Sequence, residues 1–194
     1  MINDSIKFLV QSIEKSPVLV ENGCNYQKLS NIFPNELLTE LADCNPSSVL
    51  VKKLENQISY PRVRIDYAET ISKKINLIFK SKKITELFEN KYNLKLVAQT
   101  TDIWFDSKGY NLSPHTDNPE LAMSMQIYLD TNKNIPGTAL FESKDAMSPF
   151  CQFKYERNNG YSLLNNQTGY HGTAFAMETT DIRKSVYVRY GKRT

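Results

Sequence analysis

Residues 114–130 read PHTDNPELAMSMQIYLD, a turn-rich segment that leads into a strand. The apolar side chains of its second half recur at every other position: Leu121, Met123, Met125 and Ile127. On an extended chain the side chains between them point to the opposite face: Ser124, Gln126 and Tyr128. This alternation predicts a strand with one apolar face and one mainly polar face.

Short strands of similar character lie on both sides of this stretch, from residue 94 onward. They read LKLVAQTTDIWF, GTALFE, FCQFKY, GYSLLN, GTAFAM and IRKSVYVRY. The links between several of them are rich in Asn, Gly, Pro and Ser, which favour turns. About eight short strands at roughly ten-residue spacing are typical of a sandwich or barrel. We predict a double-stranded β-helix (jelly roll).

The N-terminal half shows the helical period instead. Apolar residues recur three and four positions apart in SIKFLVQSIEK (5–15), in PNELLTELADC (34–44) and from about residue 67 to residue 92. The third of these segments is interrupted at KSKK (80–83). Between the first two helices, CNYQKLSNIF (24–33) is predicted to be extended.

These patterns predict an α+β fold that is mostly β, with the N-terminal helices packed on one sheet. A chain of 194 residues is long enough to bury one core of its own, and neither half has an obvious separate core. We therefore predict one domain over residues 1–194. Residues 1–93 are its mainly helical support, and residues 94–194 are the β-helix core with the functional site.

Composition and charge exclude several classes of protein. The formal net charge of +3 is too small to indicate nucleic acid or an anionic membrane as a partner. No apolar run approaches the roughly 18 residues of a membrane helix, and the first residues lack the pattern of a secretory signal. Cys24, Cys44 and Cys151 form neither a zinc-binding nor a disulfide pattern, so we expect a cytoplasmic protein.

His115 and His171 are the only two histidines of the chain. Because His115 and Asp117 are two positions apart, their side chains share one side of an extended backbone and can reach one cation. His171 begins a later strand and supplies a third ligand. Two imidazoles and one carboxylate form the facial triad of non-haem ferrous oxygenases. The alternative is a structural histidine that hydrogen-bonds a nearby aspartate.

Arg183 and Ser185 share one face of the C-terminal strand. A guanidinium inside a β-fold needs a carboxylate, and no acidic residue nearby is an obvious partner. A dicarboxylate ligand would provide one, held by the planar guanidinium and by the hydroxyl of Ser185. The alternative is a rim arginine that pairs with Asp181 or Glu178.

Together, PHTDNPE, MSMQIYLD, GTALF, GYHG and IRKSVYVRY resemble the 2-oxoglutarate- and Fe(II)-dependent dioxygenases, most closely the prolyl-hydroxylase-like branch. The resemblance spans residues 104–190 and implies that His115, Asp117 and His171 ligate the iron. It implies an oxidoreductase that uses Fe(II), 2-oxoglutarate and O2, with ascorbate as an accessory reductant.

The resemblance also implies a pocket for the co-substrate. Arg183 and Ser185 would hold the far carboxylate of 2-oxoglutarate, and Tyr128 would hydrogen-bond the same molecule. From its pattern alone, Tyr128 is equally well a core residue with a satisfied hydroxyl. The sequence departs from the family where many members have a further tyrosine, because Phe105 stands there, with Tyr110 nearby.

The implied reaction is hydroxylation of a prime substrate with release of succinate and CO2. A peptidyl proline, an amino acid or another small metabolite fits this interpretation, without a membrane or nucleic acid as partner. Two alternatives stay open. One is a nucleic-acid demethylase of the same superfamily, and the other is a non-catalytic metal-binding β-helix module.

Three further features bear on the prime substrate. Arg189 is either a clamp for a substrate carboxylate or phosphate, or an exposed residue near the C-terminus. Trp104, the only tryptophan, either walls the pocket or packs in the core. The segment 56–66 is either a cover for the mouth of the site or an ordinary surface loop.

Overall fold

The computed structural model describes residues 2–47, 51–53 and 62–193, and within them the chain forms two layers of β-sheet with helices on one side. The helices are α1 (Ile2–Lys15), α2 (Asn35–Asp43), α3 (Thr70–Phe79) and α4 (Lys82–Tyr92). The strands of the N-terminal half are β1 (Leu19–Glu21), β2 (Cys24–Ser30), β3 (Val51–Lys53) and β4 (Arg62–Ile65). Those of the C-terminal half are β5 (Leu96–Asp106), β6 (Leu121–Tyr128), β7 (Thr138–Phe141), β8 (Cys151–Gln152), β9 (Asn159–Leu164), β10 (Tyr170–Thr173) and β11 (Arg183–Lys192).

The helices form where the apolar period predicted them. Leu9, Val10 and Ile13 give α1 its buried stripe. The predicted break between α3 and α4 is confirmed, because Ser81 caps α4 by accepting a hydrogen bond from the Ile84 amide at 3.4 Å. Asn93 ends α4 in the left-handed conformation, with φ of 51°.

The strands form one large and one small antiparallel sheet. The major sheet has the order β1-β2-β9-β6-β11-β5-β4-β3, and the minor sheet has the order β10-β7-β8. Within the described residues the two sheets do not close into a barrel. The jelly-roll prediction is thus confirmed as two facing antiparallel sheets rather than as a closed cylinder.

Two apolar clusters hold these layers together. The larger one joins the helices to one face of the major sheet, so the predicted packing of helices on one sheet is confirmed. The smaller one contains residues of both sheets. The alternation in β6 sorts its side chains between the two clusters: Met123, Met125 and Ile127 belong to the larger, and Tyr128 to the smaller.

One detail of the sequence prediction needs correction and another needs an addition. Residues 1–93, predicted to be mainly helical support, also provide β1–β4, which lie at both edges of the major sheet. The predicted strand GTAFAM is wrong beyond Thr173, since the Met177 amide bonds the carbonyl of Tyr110 at 2.9 Å instead of a neighbouring strand. The single domain stays a prediction, which the larger cluster supports because both halves contribute to it.

Among the helices of the described residues, none has the length and apolar character needed to cross a membrane.

Candidate metal centre and cavity

The backbone sets His115 directly opposite His171. The two residues form an isolated antiparallel bridge beside β10, in which the His115 amide donates to the His171 carbonyl at 3.0 Å. The reciprocal hydrogen bond, from the His171 amide to the His115 carbonyl, is 2.8 Å long. Because directly opposed residues project to the same side, the two imidazole centroids lie 4.5 Å apart.

Asp117 completes a cluster that we call the metal triad: His115, Asp117 and His171. One ligand atom from each of the three side chains lies within 4.8 Å of the others. The Nε2 atom of His171 is 3.7 Å from Oδ1 of Asp117. The prediction that both histidines and the aspartate converge is therefore confirmed.

The hydrogen bonds of the two imidazoles fix which nitrogen faces the triad. Nδ1 of His115 is 2.9 Å from the Ser113 carbonyl oxygen, and Nδ1 of His171 is 3.1 Å from that of Gly169. A carbonyl oxygen only accepts, so each Nδ1 donates its proton there, and Nε2 is the nitrogen of each ring that remains to ligate a cation. Both histidines are thus in the tautomer that ligates a cation through Nε2.

Tyr187 orients the carboxylate of the triad. Its hydroxyl lies 3.2 Å from both Oδ1 and Oδ2 of Asp117 and donates to that carboxylate. Burial, and next the negative charge of Asp117, raise the pKa of Tyr187 far above its usual value. The phenol therefore stays protonated and remains a donor. Tyr187 was not predicted to be a site residue, although it shares the face of Arg183 and Ser185.

Burial also lowers the pKa of His171, and proximity to His115 adds to that effect while Asp117 opposes it. A neutral, buried His171 is the form that ligates a metal. Two imidazole nitrogens and a carboxylate oxygen on one side of a cavity suit a ferrous ion with positions left for other ligands. The residues present therefore fit the metal that the sequence predicts.

The triad lies in a cavity of about 240 Å³. Its lining combines the triad with aromatic and polar side chains from both sheets and the intervening loops: Arg62, Trp104, Tyr110, Leu112, Gln126, Thr138, Tyr161, Gly172 and Tyr187. Trp104 is 8% exposed and lines the cavity, so it is both a packed residue and part of the wall. Its contact with a substrate stays a prediction.

Arg183 is fully buried, and its acidic partner is Asp106. Nη1 of Arg183 lies 2.8 Å from Oδ2 of Asp106, and Nε donates to the Pro136 carbonyl at 3.1 Å. The sequence offered no obvious acidic partner for Arg183, but the structure provides one, because Asp106 lies directly opposite Arg183 in the register of β5 and β11. Asp181, the proposed rim partner, instead accepts hydrogen bonds from Asn132 and Thr179.

Three tyrosines surround the guanidinium of Arg183. Its central carbon lies 4.6 Å from the ring centre of Tyr110, 5.4 Å from that of Tyr128 and 5.9 Å from that of Tyr155. Burial opposes the positive charge, but Tyr110 and Asp106 outweigh it and raise the pKa of Arg183. Among the described residues, none hydrogen-bonds the buried Nη2 of Arg183.

Tyr128 and Ser185, the other predicted co-substrate residues, are bonded to neighbouring side chains. The Tyr128 hydroxyl accepts from the Thr138 amide at 2.8 Å and donates to Oγ1 of Thr138 at 3.1 Å. The Ser185 hydroxyl accepts from Nε2 of Gln126 at 3.0 Å. Among the described residues, it is Thr138 and Gln126 that line the cavity at this point, so the co-substrate role of Tyr128 and Ser185 stays a prediction.

Arg62 lines the site, although the sequence predicted only that it lies in the segment 56–66. It is the first residue of β4, it lines the cavity, and its Nη2 lies 3.1 Å from Oδ2 of Asp106. Its guanidinium carbon is 4.8 Å from the ring centre of Trp104 and 5.5 Å from that of Tyr110. The residues of the predicted cover from 62 onward form β4 (Arg62–Ile65) and the turn after it, and residues 56–61 lie outside the described ranges.

Arg189 forms an ion pair with Asp102 and donates to the Thr100 hydroxyl at 2.8 Å. The same Asp102 accepts a 2.6 Å hydrogen bond from the Tyr67 hydroxyl. Within the described part of the chain, Arg189 is not among the residues that line the cavity. A contact between Arg189 and a substrate therefore stays a prediction. The ion pair with Asp102 accounts for the position of Arg189 in the structure.

Comparison with known proteins gives structural matches alone. No protein-family model matches the chain, and no curated protein matches its sequence. The epimerase SnoN from nogalamycin biosynthesis, described as non-heme and alpha-ketoglutarate dependent, matches with a TM-score of 0.64 and 12% identity, over 99% of this chain and 85% of its own. A Trichoplax adhaerens prolyl hydroxylase in complex with a hypoxia inducible factor peptide fragment matches at 0.64 and 13% identity, over 98% and 90% of the two chains.

A third match is HygX from Streptomyces hygroscopicus with nickel and 2-oxoglutarate bound, with a TM-score of 0.61 and 12% identity, over 86% of this chain and 82% of its own. Identities this low establish a shared fold. The resemblance predicted from the sequence is confirmed at that level. The chain therefore has the fold of the 2-oxoglutarate- and Fe(II)-dependent oxygenases, a group that includes prolyl hydroxylases.

Proposed function

We propose that this protein is a 2-oxoglutarate-dependent Fe(II) oxygenase that hydroxylates a prime substrate and releases succinate and CO2. One observation carries the proposal. The metal triad brings one ligand atom from each of two imidazoles and one carboxylate to within 4.8 Å of one another, in a cavity that also contains an arginine. A purely structural histidine pair would not need both rings to converge on a carboxylate at the wall of a cavity.

The side chains divide into three roles. His115, Asp117 and His171 would hold Fe(II), and Tyr187 would keep the Asp117 carboxylate aligned. A ferrous ion in this site would supply O2 activation coupled to the decarboxylation of 2-oxoglutarate. The arginine side of the cavity would bind the far carboxylate of that co-substrate, with Arg183, Ser185 and Tyr128 behind the cavity wall.

The prime substrate is proposed to be a peptide or a small molecule. Solved structures of the same fold are described with a peptide fragment, with hygromycin B and with nogalamycin RO. For this chain the candidates are a peptidyl proline, an amino acid or another small metabolite. Trp104 would form one wall for that substrate. Arg189 would contact a substrate carboxylate or phosphate only by exchanging its bond to Asp102.

Succinate release tests the proposal. The purified chain is loaded with Fe(II) under ascorbate and supplied with 2-oxoglutarate, first alone and then with a panel of candidate peptides, amino acids and metabolites. We expect slow succinate formation without a prime substrate and a stimulated rate with the correct one. If the iron-loaded chain neither binds nor consumes 2-oxoglutarate, the proposal is wrong and the non-catalytic metal-binding module is favoured.

A nucleic-acid demethylase is the remaining enzymatic alternative. It predicts binding of single-stranded DNA or RNA that weakens steeply with salt. The pairing of Arg189 with Asp102 and the net charge of +3 do not favour it.

A cytoplasmic location is part of the proposed function. It agrees with the three free cysteines, Cys24, Cys44 and Cys151.

A further inference from the structure

A second charged region lies beside the cavity, on the other side of the metal triad from Arg183. Along β11, alternate positions place Arg183, Tyr187 and Arg189 on one face of the strand. Tyr187 is in the middle, with its hydroxyl 3.2 Å from the Asp117 carboxylate and its ring centre 5.9 Å from the guanidinium carbon of Arg189. Because 2-oxoglutarate is proposed to bind toward Arg183, the side of Arg189 remains for the prime substrate.

Arg64 approaches the same region from β4. It stands two positions after Arg62, which lines the cavity, so its side chain points to the same face of the strand. In the register of β4 and β5, Arg64 lies directly opposite Trp104, which also lines the cavity. Arg64 is therefore next to the cavity wall, although within the described residues it is not part of the lining.

Tyr67 and Asp102 connect the two arginines. The guanidinium carbon of Arg64 lies 3.9 Å from the ring centre of Tyr67. The Tyr67 hydroxyl donates to Oδ1 of Asp102 at 2.6 Å, and Oδ2 of the same carboxylate pairs with Arg189. We call these four residues the Asp102 group: Arg64, Tyr67, Asp102 and Arg189.

The Asp102 group has an unsatisfied guanidinium. Asp102 forms its ion pair with Arg189, which leaves the positive charge of Arg64 without an acidic partner. Among the described residues, none hydrogen-bonds the buried Nη1 of Arg64, and none forms an ion pair with that side chain. A buried donor without an acceptor is costly. A carboxylate from outside the chain would supply both the acceptor and the missing negative charge.

The two arginines are accessible and partly preorganised. The side chain of Arg189 is 30% exposed, and Arg64 is half-buried. Contact with the Tyr67 ring restricts the guanidinium of Arg64, so less side-chain freedom is lost when an anion binds. The group lacks one negative charge, which a carboxylate provides, whereas a phosphate monoester carries close to two.

We propose that the Asp102 group binds a carboxylate of the prime substrate, with Arg64 as its main contact. This inference rests on the proposed function. It narrows the prime substrate to a small molecule with a free carboxylate, such as an amino acid. A peptidyl proline is disfavoured, because its carboxyl group is part of a peptide bond. The Asp102 group would hold the substrate carboxylate while the reacting C–H bond lies in the cavity at the metal triad.

The test compares carboxylic acids with their amides. The full chain is supplied with Fe(II), 2-oxoglutarate and ascorbate, and succinate release is measured with the common L-amino acids and simple aliphatic carboxylic acids, each beside its primary carboxamide. We expect an acid that stimulates release to lose about 10-fold or more in kcat/KM as the carboxamide, because a charge-assisted contact is lost. In Arg64→Gln we expect the KM for the acid to rise by about 10-fold, so that acid and amide become nearly equal.

Two further variants serve as controls, and circular dichroism checks that each variant is folded. Arg64→Lys keeps the charge but loses the planar donor pair, so we expect it to retain part of the preference for the acid. Arg193→Gln removes an arginine that pairs with Glu89 of α4, and we expect it to keep the full preference.

Three results would overturn the inference. The first is equal stimulation by an acid and its amide, and the second is an unchanged preference for the acid in Arg64→Gln. The third is succinate release without a prime substrate that no carboxylic acid of the panel stimulates. If the iron-loaded chain releases no succinate under any condition, the proposed function itself fails, and the inference fails with it.

Discussion

The metal triad and a second group, in which Asp106 pairs with both Arg62 and Arg183 and which we call the arginine cluster, are assembled in different ways. In the triad, two of three members are neighbours in sequence, and one backbone bridge between His115 and His171 places the third. The arginine cluster takes one residue from each of three adjacent strands, β4, β5 and β11. The comparison shows that a short local motif can be predicted from the sequence. Which charged side chains pair across neighbouring strands depends instead on how those strands align.

The largest expected effect lies at the triad. His171→Ala removes one of the three proposed ligands from a buried position, and we expect metal affinity to fall by more than about 100-fold and iron-dependent succinate release to be lost. Bound metal is measured by elemental analysis after dialysis, and succinate by mass spectrometry. Circular dichroism checks that the chain stays folded. Retention of stoichiometric metal by this variant would contradict the triad.

The arginine cluster should respond in stability rather than in metal content. Asp106→Asn leaves the fully buried Arg183 without its carboxylate, and we expect the free energy of unfolding to drop by about 3–5 kcal/mol. Urea denaturation measures this change. Arg62→Gln is the control, because it leaves the buried pair intact and should cost less than half as much. Equal losses for the two variants would show that the cluster is not organised around Asp106.

Tyr187→Phe sharpens the comparison, because Tyr187 supports the triad from β11, the strand that also carries Arg183. Loss of its hydrogen bonds to Asp117 should weaken metal binding by about 10-fold with little loss of stability. Competition with a chelator measures the affinity. Tyr190→Phe is the matched control, since that hydroxyl bonds the Phe79 carbonyl and lies in the larger apolar cluster. An equal effect of both substitutions on metal affinity would exclude an orienting role.

The smallest effect is the pH dependence of the metal-free chain. Because the pKa of His171 is lower in the folded state than its ordinary value of 6.5, the unfolded chain binds the proton more readily. This group therefore contributes its full stability above pH 6.5, and that contribution decreases as pH falls from 6.5 toward the folded pKa. Urea denaturation at several pH values measures the slope. His171→Gln should reduce it, and an unchanged slope would assign the dependence to other groups.

How much could be predicted differs between the two regions. The i,i+2 spacing of His115 and Asp117 fixes a shared direction on extended backbone, so that pair was readable without the fold. The helices and the two faces of β6 were readable for the same reason, because their periods are local. By contrast, Asp106 lies 77 positions from Arg183 in the chain, and nothing in the sequence marks them as partners.

The hydrogen-bond partners of the tyrosines and the ends of the strands also could not be predicted from the sequence. Tyr128 was identified from its place in the pattern, but only the structure shows that its hydroxyl is bonded to Thr138 and that Thr138 faces the cavity. The predicted strand GTAFAM stops at Thr173 because the chain then bonds the loop at Tyr110. Such partners are chosen by tertiary packing and not by propensity.

The sequence by itself determined the fold class, the helices and the identity of the metal triad, because periodicity and i,i+2 spacing are properties of a few neighbouring residues. Only the tertiary structure decided that Asp106 pairs with the buried Arg183 and that Arg62 joins the same carboxylate beside the cavity. The physical reason is strand register. Which side chains face each other across a sheet depends on how distant segments align, and a shift of one residue would turn each of them to the other face.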